Sequence, residues 1–587
     1  MFEQEQQAIE EQIRAYCKQQ DIPSTEELKW ARIPFSGEWG IATSFFQTAA
    51  NEARSGKKVV VPQRAQEIAE GVAEHLGTPQ GFSRVEAVKG YLNLYFSTDE
   101  YARTVLDTVI TQGVEYGNGL ANGQSVMVEF SQPNTHKALH VGHLRNMMLG
   151  AAVANILECA GYEVVRSNYI GDFGRDVMKW IWNYEKRHDG EEPPEDTTRW
   201  MGDLYAEATQ KLEEDEAGET EIQALFADWE SKDSPTYKLW QKTRQWSLDG
   251  FNDVYTQMGI HFDRFYYESE MEESAKEIVE ELISKGIVTD DRPDGPAVIK
   301  VDELLGLDKE TYRVLAVLRS DGTSLYGAWD LALAQKKFID YPLDRSVYVV
   351  DVRQSLHFQQ VFKTLEAVGF EKIKDAFHLP YEVVNLPGNL TMSSRDGVIV
   401  LLEDFIREAT QRAYDVSLET NPELDEVTRK GVANAVALGS IKYPLLARDN
   451  TKIATFDWET ALDFNGHSAP YIQYAHVRAN SILRRVDKAL PDSSNPTYEL
   501  EPAEIALIEL ISQIPDTVQR AADEYRTLHI TNLAYDLAKA FNDFYNRCPV
   551  LKAEPEVQLT RLRLVAAARQ SIANCLRILG IEAPEVM

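Results

Sequence analysis

Two histidines three positions apart form the first group of residues that could do chemistry. His140 and His143, with Gly142 between them, follow residues 131–137 at a predicted junction between a strand and a helix. The first turn of a helix has unpaired N–H groups and the positive end of the helix dipole, so it favours phosphate. Gly142 lets a ligand approach the backbone, and the imidazoles could donate hydrogen bonds to a phosphoryl group as its charge develops. The alternatives are a pair of metal ligands and histidines that merely begin a helix.

A second group lies much later, at residues 390–397 (LTMSSRDG). Small hydroxyl side chains, an arginine and a glycine suit a loop that closes over phosphates. The string alone is equally typical of an ordinary surface turn.

Alternating strand and helix patterns must position both groups. The predicted strands are residues 126–130, 163–170, 346–352 and 381–387, and the predicted helices between them are 143–159 and 357–370. Strand–helix–strand units of this kind are nearly always parallel and right-handed. No GxGxxG sequence is present, so an ordinary dinucleotide site is not expected. The fold class is therefore α/β, with a split, doubly wound, Rossmann-like parallel sheet that a charged, largely helical insertion interrupts at about 186–310.

Three domains are predicted along the chain. Residues 1–120 form an N-terminal α+β domain, in which 5–18 is a helix and 91–96 a strand. Residues 121–405 form the α/β domain with its insertion. The strand signals then fade, and 406–587 form an all-α helical bundle.

The charge of the chain restricts how it could bind nucleic acid. Its 587 residues include 93 Asp and Glu against 60 Lys and Arg, a formal charge of −33. A phosphate backbone favours a basic surface, so bulk electrostatics oppose binding. The acidity is concentrated at residues 185–233, a predicted solvated insertion, whereas 471–587 carry 13 Lys and Arg against 15 Asp and Glu. Nucleic-acid binding therefore requires the positive groups to gather on one face.

Cysteine content and hydropathy indicate the cellular setting. Cys17, Cys159, Cys548 and Cys575 lie far apart, which argues against a structural zinc site and fits a reducing compartment. The apolar stretches are shorter than the ~18–20 residues that span a bilayer, and the polar, acidic start is unlike a secretory signal. We expect a cytoplasmic protein without membrane association or a metal ion of its own.

Together, in this order and on a split sheet, the two groups resemble the HIGH and KMSKS motifs of class I aminoacyl-tRNA synthetases. Five stretches resemble the arginine branch of that class. They are VEFSQPNTHKALHVGHLRN (128–146), NYIGDFG (168–174), SDGTSLYGAWDLA (320–332), VYVVDVRQSLHFQQVF (347–362) and residues 456–485. The similarity spans nearly the whole chain and is weakest in the first 120 residues. It implies activation of arginine by ATP with Mg²⁺, followed by transfer to tRNA.

The resemblance also implies residues for the small-molecule site. The arginine pocket falls on Glu129, Asn134, Tyr326, Asp330 and Gln354, and ATP falls on His140, Gly142, His143, His357, Met392 and Ser393. The arginine side chain is a planar, permanently charged group with five donors, which carboxylates can bind through two hydrogen bonds at once. Read without the family, Asp330 is equally a helix cap or surface charge and Tyr326 a core aromatic.

The second motif departs from the family pattern. Thr391 and Ser394 stand where KMSKS has lysines, so the loop lacks the usual positive charges for the ATP phosphates. We hypothesise that Lys137, just before the histidine motif, supplies most of that charge, with Arg395 as the other candidate. The predicted catalytic residues are therefore His140, His143, Lys137, Ser394 and Arg395.

Binding of tRNA is expected on the C-terminal helices. Aromatic and basic residues there could stack on splayed bases and contact the backbone: Tyr471, Tyr474, His476, Arg478 and Arg485. The aromatic residues are equally compatible with the core of the bundle. The resemblance further implies contact of residues 1–120 with the tRNA elbow, arginine activation that requires bound tRNA, and a monomer. A polar arginine pocket rejects apolar competitors without an editing domain.

Three rival interpretations stay open at this level. They are a class I synthetase for another amino acid, such as cysteine, a small nucleotidyltransferase with an HxGH motif, and an inactive paralogue that acts as a scaffold. The absence of clustered Cys and His opposes the zinc-dependent cysteine enzyme. The long helical C-terminal region is unexplained in a small nucleotidyltransferase. The intact His140, His143, Lys137 and Asp330 oppose the scaffold.

Overall fold

Short apolar strands and amphipathic helices build the chain, and a computed structural model describes residues 3–23, 28–386, 390–391, 400–486, 489–491 and 493–587. The elements up to residue 120 are α1 Glu3–Gln19, β1 Trp30–Ile33, β2 Gly40–Ser44, α2 Phe46–Arg54, α3 Val61–Leu76, β3 Phe82–Val88, β4 Tyr91–Phe96 and α4 Thr98–Gln112.

From residue 125 to residue 391 strands and helices alternate. They are β5 Ser125–Glu129, α5 Val141–Cys159, β6 Glu163–Ile170, α6 Arg175–Arg187, α7 Thr197–Glu214, α8 Gly218–Trp229, α9 Pro235–Gln257, β7 Arg264–Tyr267, α10 Glu268–Ser284, β8 Val288–Asp290, β9 Ala297–Lys300, α11 Val301–Leu304, β10 Val314–Leu318, α12 Tyr326–Asp340, β11 Arg345–Asp351, α13 Ser355–Ala367, β12 Ala376–Tyr381, β13 Val384–Leu386 and β14 Leu390–Thr391.

Helices dominate the rest. They are α14 Leu402–Thr420, α15 Glu426–Leu446, α16 Trp458–Ala461, α17 Ala469–Leu483, α18 Pro502–Ser512, α19 Ile514–Glu524, α20 Leu528–Arg547 and α21 Pro555–Ile578, with the two-residue strand β15 Ala454–Thr455 between α15 and α16. Short 3₁₀ helices occupy Gly113–Glu115, Val352–Gln354 and Glu371–Asp375. Within the described part of the chain, no helix is both long and apolar enough to cross a membrane.

The chain forms two compact units. One contains residues 1–116, 478–514 and 536–572, and the other contains 117–477, 515–535 and 573–587. In the first unit, an antiparallel sheet of order β1-β2-β4-β3 packs with helices. Within that unit the Tyr116 hydroxyl donates to the Ile511 carbonyl at 2.8 Å.

The second unit is built around a five-stranded sheet of order β12-β11-β5-β6-β7, in which every neighbouring pair is parallel. Strand order reverses between β5 and β11, so the loops after these two strands diverge from the sheet and leave a crevice at its carboxyl edge. The core beside the sheet contains Met127, Tyr266, Val279, Leu331 and Leu365. The α/β fold class with a parallel sheet and helical C-terminal region is confirmed.

Helices α6 to α9 have a core of their own, rich in aromatic residues, that includes Trp180, Trp182, Trp229 and Trp240. The segment 186–310 was predicted as an interruption of the sheet, and this is wrong for β7, which is the edge strand beside β6. Four residues are too few for a period-two pattern to stand out between two helices. The strand predicted at 381–387 is instead two strands, β12 and β13, separated by a short break. The three domain boundaries stay a prediction.

Candidate active site

The carboxyl ends of β5 and β11 bring the predicted site residues to one edge of the sheet. Residues 130–140 follow β5 and lead into α5, and the 3₁₀ helix Val352–Gln354 follows β11. Because this is the point where strand order reverses, it is the expected position of a ligand in an open parallel sheet.

The first turn of α5 holds the two histidines as neutral donors. The Gly142 N–H donates to His140 Nδ1, and the His140 N–H donates to His143 Nδ1, each at 3.1 Å. Burial, and then the charge of Lys137, lower the pKa of His140, while burial and then His140 lower the pKa of His143 to about 3. A neutral imidazole with Nδ1 as acceptor carries its proton on Nε2. Each ring therefore has an Nε2–H donor beside the helix N-terminus.

Two residues on the buried side of α5 fix this helix. Asn146 Oδ1 accepts from the Ser131 N–H at 2.6 Å, which ties the helix to the loop after β5. Arg145 donates to the carbonyls of Glu382 and Lys452, both at 2.7 Å, and so holds the segment after β12. The histidine pair thus sits on a helix that is anchored on two sides.

A cavity of about 190 Å³ opens beside the loop after β5. Its lining includes three of the predicted residues and several that were not predicted: Asn134, Lys137 and Tyr326, with Gly171, Glu268 and Trp329. The loop comes very close to Gly171, where a Cβ atom would lie 2.1 Å from Asn134 Oδ1. A larger residue at 171 would displace the Asn134 amide, so Gly171 keeps room for that side chain beside the cavity.

The cavity is bordered by α12, which begins with the exposed Tyr326 and carries Asp330 one turn later. Asp330 Oδ2 lies 2.5 Å from His357 Nε2 on α13. The residue predicted for arginine and the one predicted for ATP therefore contact each other directly.

Glu268 is the residue that the sequence analysis missed. Its side chain is buried, with 7% exposure, and Oε2 lies 3.4 Å from the position that a Gly171 Cβ would occupy. Burial, and then the charges of Asp172 and Asp330, raise its pKa well above the ordinary value. Among the described residues we find no hydrogen bond or ion pair to its carboxylate. Its position directly after a strand of the parallel sheet could have marked Glu268 as a site residue. That position could not be recognised because β7 was not predicted.

Glu129 lies in a buried ion pair. Its side chain is 2% exposed and pairs with Lys337 at 2.6 Å, and Gln132 Nε2 donates to its carboxylate at 2.9 Å. The Lys337 ammonium also lies 3.5 Å from the centroid of the Tyr348 ring. Arginine binding by Glu129 stays a prediction. Gln354 is exposed and does not line the cavity.

Lys137 lies at the cavity with a counter-ion. Its ammonium is 2.6 Å from Asp176 Oδ2 and 4.8 Å from the centroid of the Tyr205 ring. Burial opposes the charged form, but the hydrogen bond and charge of Asp176 outweigh it and raise the Lys137 pKa. The lysine is therefore a cation that an anionic ligand could draw from Asp176.

The second motif falls where little can be described. Met392, Ser393, Ser394 and Arg395 lie outside the described residues. Just beyond them, the Val400 carbonyl accepts from the Val141 N–H at 3.2 Å. The segment that follows the second motif therefore contacts the first turn of α5.

The residues predicted to bind tRNA are differently exposed along α17 and beyond. Tyr474 is 39% exposed, Arg485 is exposed, and Tyr471 is half-buried with its ring 5.4 Å from that of Tyr535. Arg478 donates to Asn542 Oδ1 at 2.6 Å. His476 is buried, and its Nδ1 lies 2.9 Å from the Pro584 carbonyl, so this histidine packs in the core rather than on the surface.

Known proteins match this chain over nearly its full length. The family described as class I tRNA synthetases (R), catalytic domain, matches residues 105–458, and the DALR anticodon binding domain matches 472–587. An arginine–tRNA ligase of Bdellovibrio bacteriovorus is 35% identical over 85% of this chain and 86% of its own length. One from Phocaeicola vulgatus is 34% identical over 89% and 91%.

A solved structure agrees with these sequence matches. The arginyl-tRNA synthetase of Thermus thermophilus superposes with a TM-score of 0.76 at 28% identity, covering 99% of this chain and 100% of its own. The resemblance drawn from the two motifs is thereby confirmed, and this chain belongs to the class I arginyl-tRNA synthetase family.

Proposed function

We propose that this chain is an arginine–tRNA ligase that forms arginyl-adenylate from arginine and ATP and transfers the arginyl group to tRNA. The observation that carries the proposal is a cavity lined by the buried carboxylate of Glu268 together with Asn134, Lys137 and Tyr326. Asn134 and Lys137 lie in the loop that leads into the paired imidazoles at the start of α5, so one loop connects a proposed cation site to a proposed phosphate site.

Buried carboxylates favour arginine as the amino acid. Several charged pairs around the cavity are internally matched: Glu129 with Lys337, Asp172 with Arg244, Lys137 with Asp176, and Arg175 with Glu219. Among the described residues Glu268 has no ion pair and Asp330 pairs with His357, while Arg319 is a further cation in the lining. Two acidic groups suit the guanidinium and the α-ammonium of arginine, and a guanidinium offers paired donors to such carboxylates. Asn134 and Tyr326 complete the proposed pocket, while Gln354 stays a prediction.

In the proposed first step an oxygen of the arginine carboxylate attacks the α-phosphorus of ATP. The bond from that phosphorus to the oxygen bridging the β-phosphate breaks, and pyrophosphate leaves with both electrons. The Nε2–H groups of His140 and His143 and the N-terminus of α5 stabilise the charge that develops on the phosphoryl oxygens. Lys137, freed from Asp176, follows the pyrophosphate, with Met392, Ser393, Ser394 and Arg395 as loop partners.

Mg²⁺ is proposed to enter with the nucleotide. Hard cations of this size keep several waters and bind mainly through substrate phosphates and one or two carboxylates. In the described part of the chain no three His, Cys, Asp or Glu side chains form a metal-holding group. We therefore propose that the ATP phosphates supply most of the ligands of the ion.

In the second step the terminal ribose 2′-hydroxyl of tRNA attacks the arginyl carbonyl, and AMP leaves. Tyr471, Tyr474, Arg478 and Arg485 are the proposed contacts on the C-terminal helices, and residues 1–120 the proposed contact with the tRNA elbow. We further propose that activation requires bound tRNA and that the enzyme works as a cytoplasmic monomer.

The test is charging of total tRNA, with ATP and Mg²⁺, by each labelled amino acid in turn. Acid-precipitable label with arginine alone supports the proposal. Charging with another amino acid would retain the class but reject the pocket, and no charging by folded protein with competent tRNA would favour the scaffold interpretation. Pyrophosphate exchange with and without tRNA then tests the proposed coupling.

A further inference from the structure

The loop between β5 and α5 has an unfavourable backbone. Three residues that are not glycine adopt positive φ angles there: Ser131 at 79°, Gln132 at 50° and His136 at 61°. Such conformations are uncommon and persist only where surrounding contacts enforce them. Asn134 and Lys137, both proposed to bind substrate, lie in this same loop, so whatever enforces the backbone also places them.

Helix α9 supplies contacts at both ends of the loop, in addition to Asn146 and Asn168, which accept from the Ser131 and Gln132 N–H groups. The Tyr255 hydroxyl lies 2.7 Å from Ser131 Oγ, and Asn168 Nδ2 donates to it at 3.0 Å. Twelve and eight residues earlier, Thr243 and Ser247 face the other end of the loop and bond to His136. One helix of the predicted insertion thus holds both ends of the loop.

His136 is the centre of the second contact. Its backbone N–H donates to Ser247 Oγ at 2.9 Å, and its Nε2 lies 2.8 Å from Thr243 Oγ1. The side chain is fully buried, and the ring packs edge-on against Trp180 with 5.0 Å between centroids. Both the backbone N–H and the ring Nε2 of His136 therefore form hydrogen bonds with α9.

Each hydroxyl beside the His136 ring also has a carbonyl to which it can donate. Thr243 Oγ1 lies 3.0 Å from the Leu239 carbonyl, and Thr135 Oγ1 lies 3.3 Å from the Gly171 carbonyl. A neutral ring donates from one nitrogen and accepts at the other, and its Nε2 and Nδ1 lie 2.8 Å from Thr243 Oγ1 and 2.9 Å from Thr135 Oγ1. This pattern needs a neutral ring, and burial followed by the charge of Arg244 lowers the His136 pKa to about 3.

We infer that α9 is the template that sets the positions of Asn134 and Lys137, and that His136, through Thr243, is a positioning residue for arginine activation. The inference rests on the proposed function and assigns a task to part of the insertion. His136 makes no contact with the cavity itself. Its effect is transmitted by the backbone, since Lys137 is the next residue and Asn134 is two residues earlier.

The test uses His136→Asn with His136→Gln, and Thr243→Val with Thr243→Ser. Asparagine tolerates positive φ but cannot reach Thr243, whereas glutamine places an amide N–H near the position of Nε2. Valine keeps the shape of threonine without the hydroxyl, and serine restores it. Pyrophosphate exchange is measured with tRNA present, with kcat and the KM values for arginine and ATP obtained separately and the amount of active enzyme titrated.

We expect kcat to fall about 10- to 100-fold in His136→Asn and Thr243→Val, because small misplacement of reacting groups has effects of that size. Thr243→Ser should stay within about threefold of wild type, and His136→Gln should recover part of the loss. Equal kcat in Thr243→Val and Thr243→Ser would overturn the inference, and this pair decides the matter even if His136→Asn does not fold. Wild-type enzyme that fails to charge arginine would reject the proposed function instead.

Discussion

Two carboxylates end strands at the same edge of the parallel sheet, and the protein treats them in opposite ways. Glu129 closes β5 and Glu268 directly follows β7, and both side chains are buried, at 2% and 7% exposure. Glu129 has Lys337 at 2.6 Å, while Glu268 has no cationic partner among the described residues and faces the cavity. A buried carboxylate is costly unless paired. We infer from the comparison that Lys337 supplies Glu129 with a partner inside the fold, and we propose that Glu268 takes its cation from a ligand.

The largest expected effect comes from breaking the internal pair. Lys337→Met leaves Glu129 buried and uncompensated, which should lower the free energy of unfolding by about 3–5 kcal/mol. Urea denaturation measures this. Lys336→Met is the matched control, because the neighbouring lysine is 35% exposed and pairs with Asp340 on the surface, so its loss should cost under about 1 kcal/mol. Similar losses in both variants would contradict the structural role of Glu129.

The opposite result is expected for Glu268→Gln. Removing a buried carboxylate that binds the guanidinium should raise the KM for arginine about 100-fold, since loss of such a partner is typically worth 2–5 kcal/mol. The thermal midpoint should stay the same or rise, because glutamine removes the cost of burying an ionisable carboxyl group without a partner. Glu270→Gln, at a 45% exposed position of the same helix, should change neither quantity. A large fall in stability with unchanged KM would place Glu268 in the fold and not in the site.

The pH dependence should separate the two carboxylates further. Because the pKa of Glu268 is raised, the native protein binds more protons than the unfolded chain from about pH 4.3 up to that raised value. In this window the stability contributed by Glu268 falls as pH rises. Arginine binding requires the ionised carboxylate, so the affinity for arginine should rise with pH, at most tenfold per unit.

Arginine titration by calorimetry between pH 5.5 and pH 8.5, about 1.5 units on either side of neutrality, measures this trend. Glu268→Gln should flatten it. An equally steep trend in that variant would assign the titrating group elsewhere.

Added salt should have the smallest effect on stability, because it screens only the charges on the exposed surface. With a formal charge of −33, the native protein repels itself, and raising NaCl from about 0.1 to 1 M shortens the screening length from ~10 to ~3 Å. We expect the thermal midpoint of the wild type to rise by a few degrees. The gap between wild type and Lys337→Met should persist, because a buried pair is little screened. Closure of that gap in high salt would mean that the pair is open to solvent.

Local signals made much of this fold predictable. A period-two pattern predicted β4, and a strand–helix–strand pattern predicted β6, both with the bounds that the structure has. The helix after His140 was placed within two residues of its start. These patterns can be recognised because side-chain periodicity and the residues that begin a helix depend only on neighbouring positions in the sequence. The family followed from the same local motifs. By contrast, β7 was missed because four residues between helices carry too little pattern.

The features of the site that the sequence did not reveal depend on residues that are distant in the chain and close in the folded structure. Carboxylates at 129 and 268 look alike in sequence, and only the folded chain brings Lys337 to one of them and the cavity to the other. In the sequence, nothing distinguishes His136 from other polar residues before the histidine motif. Its role depends on hydrogen bonds to α9, which only the folded chain forms.

The sequence by itself determined the fold class, the family and the two motifs that mark the nucleotide site. Tertiary structure decided which buried charge is neutralised, which is left for a ligand, and which helix fixes the loop between β5 and α5. The physical reason is that backbone preference is local, whereas the free energy of a buried polar group depends on the partner that a distant segment supplies.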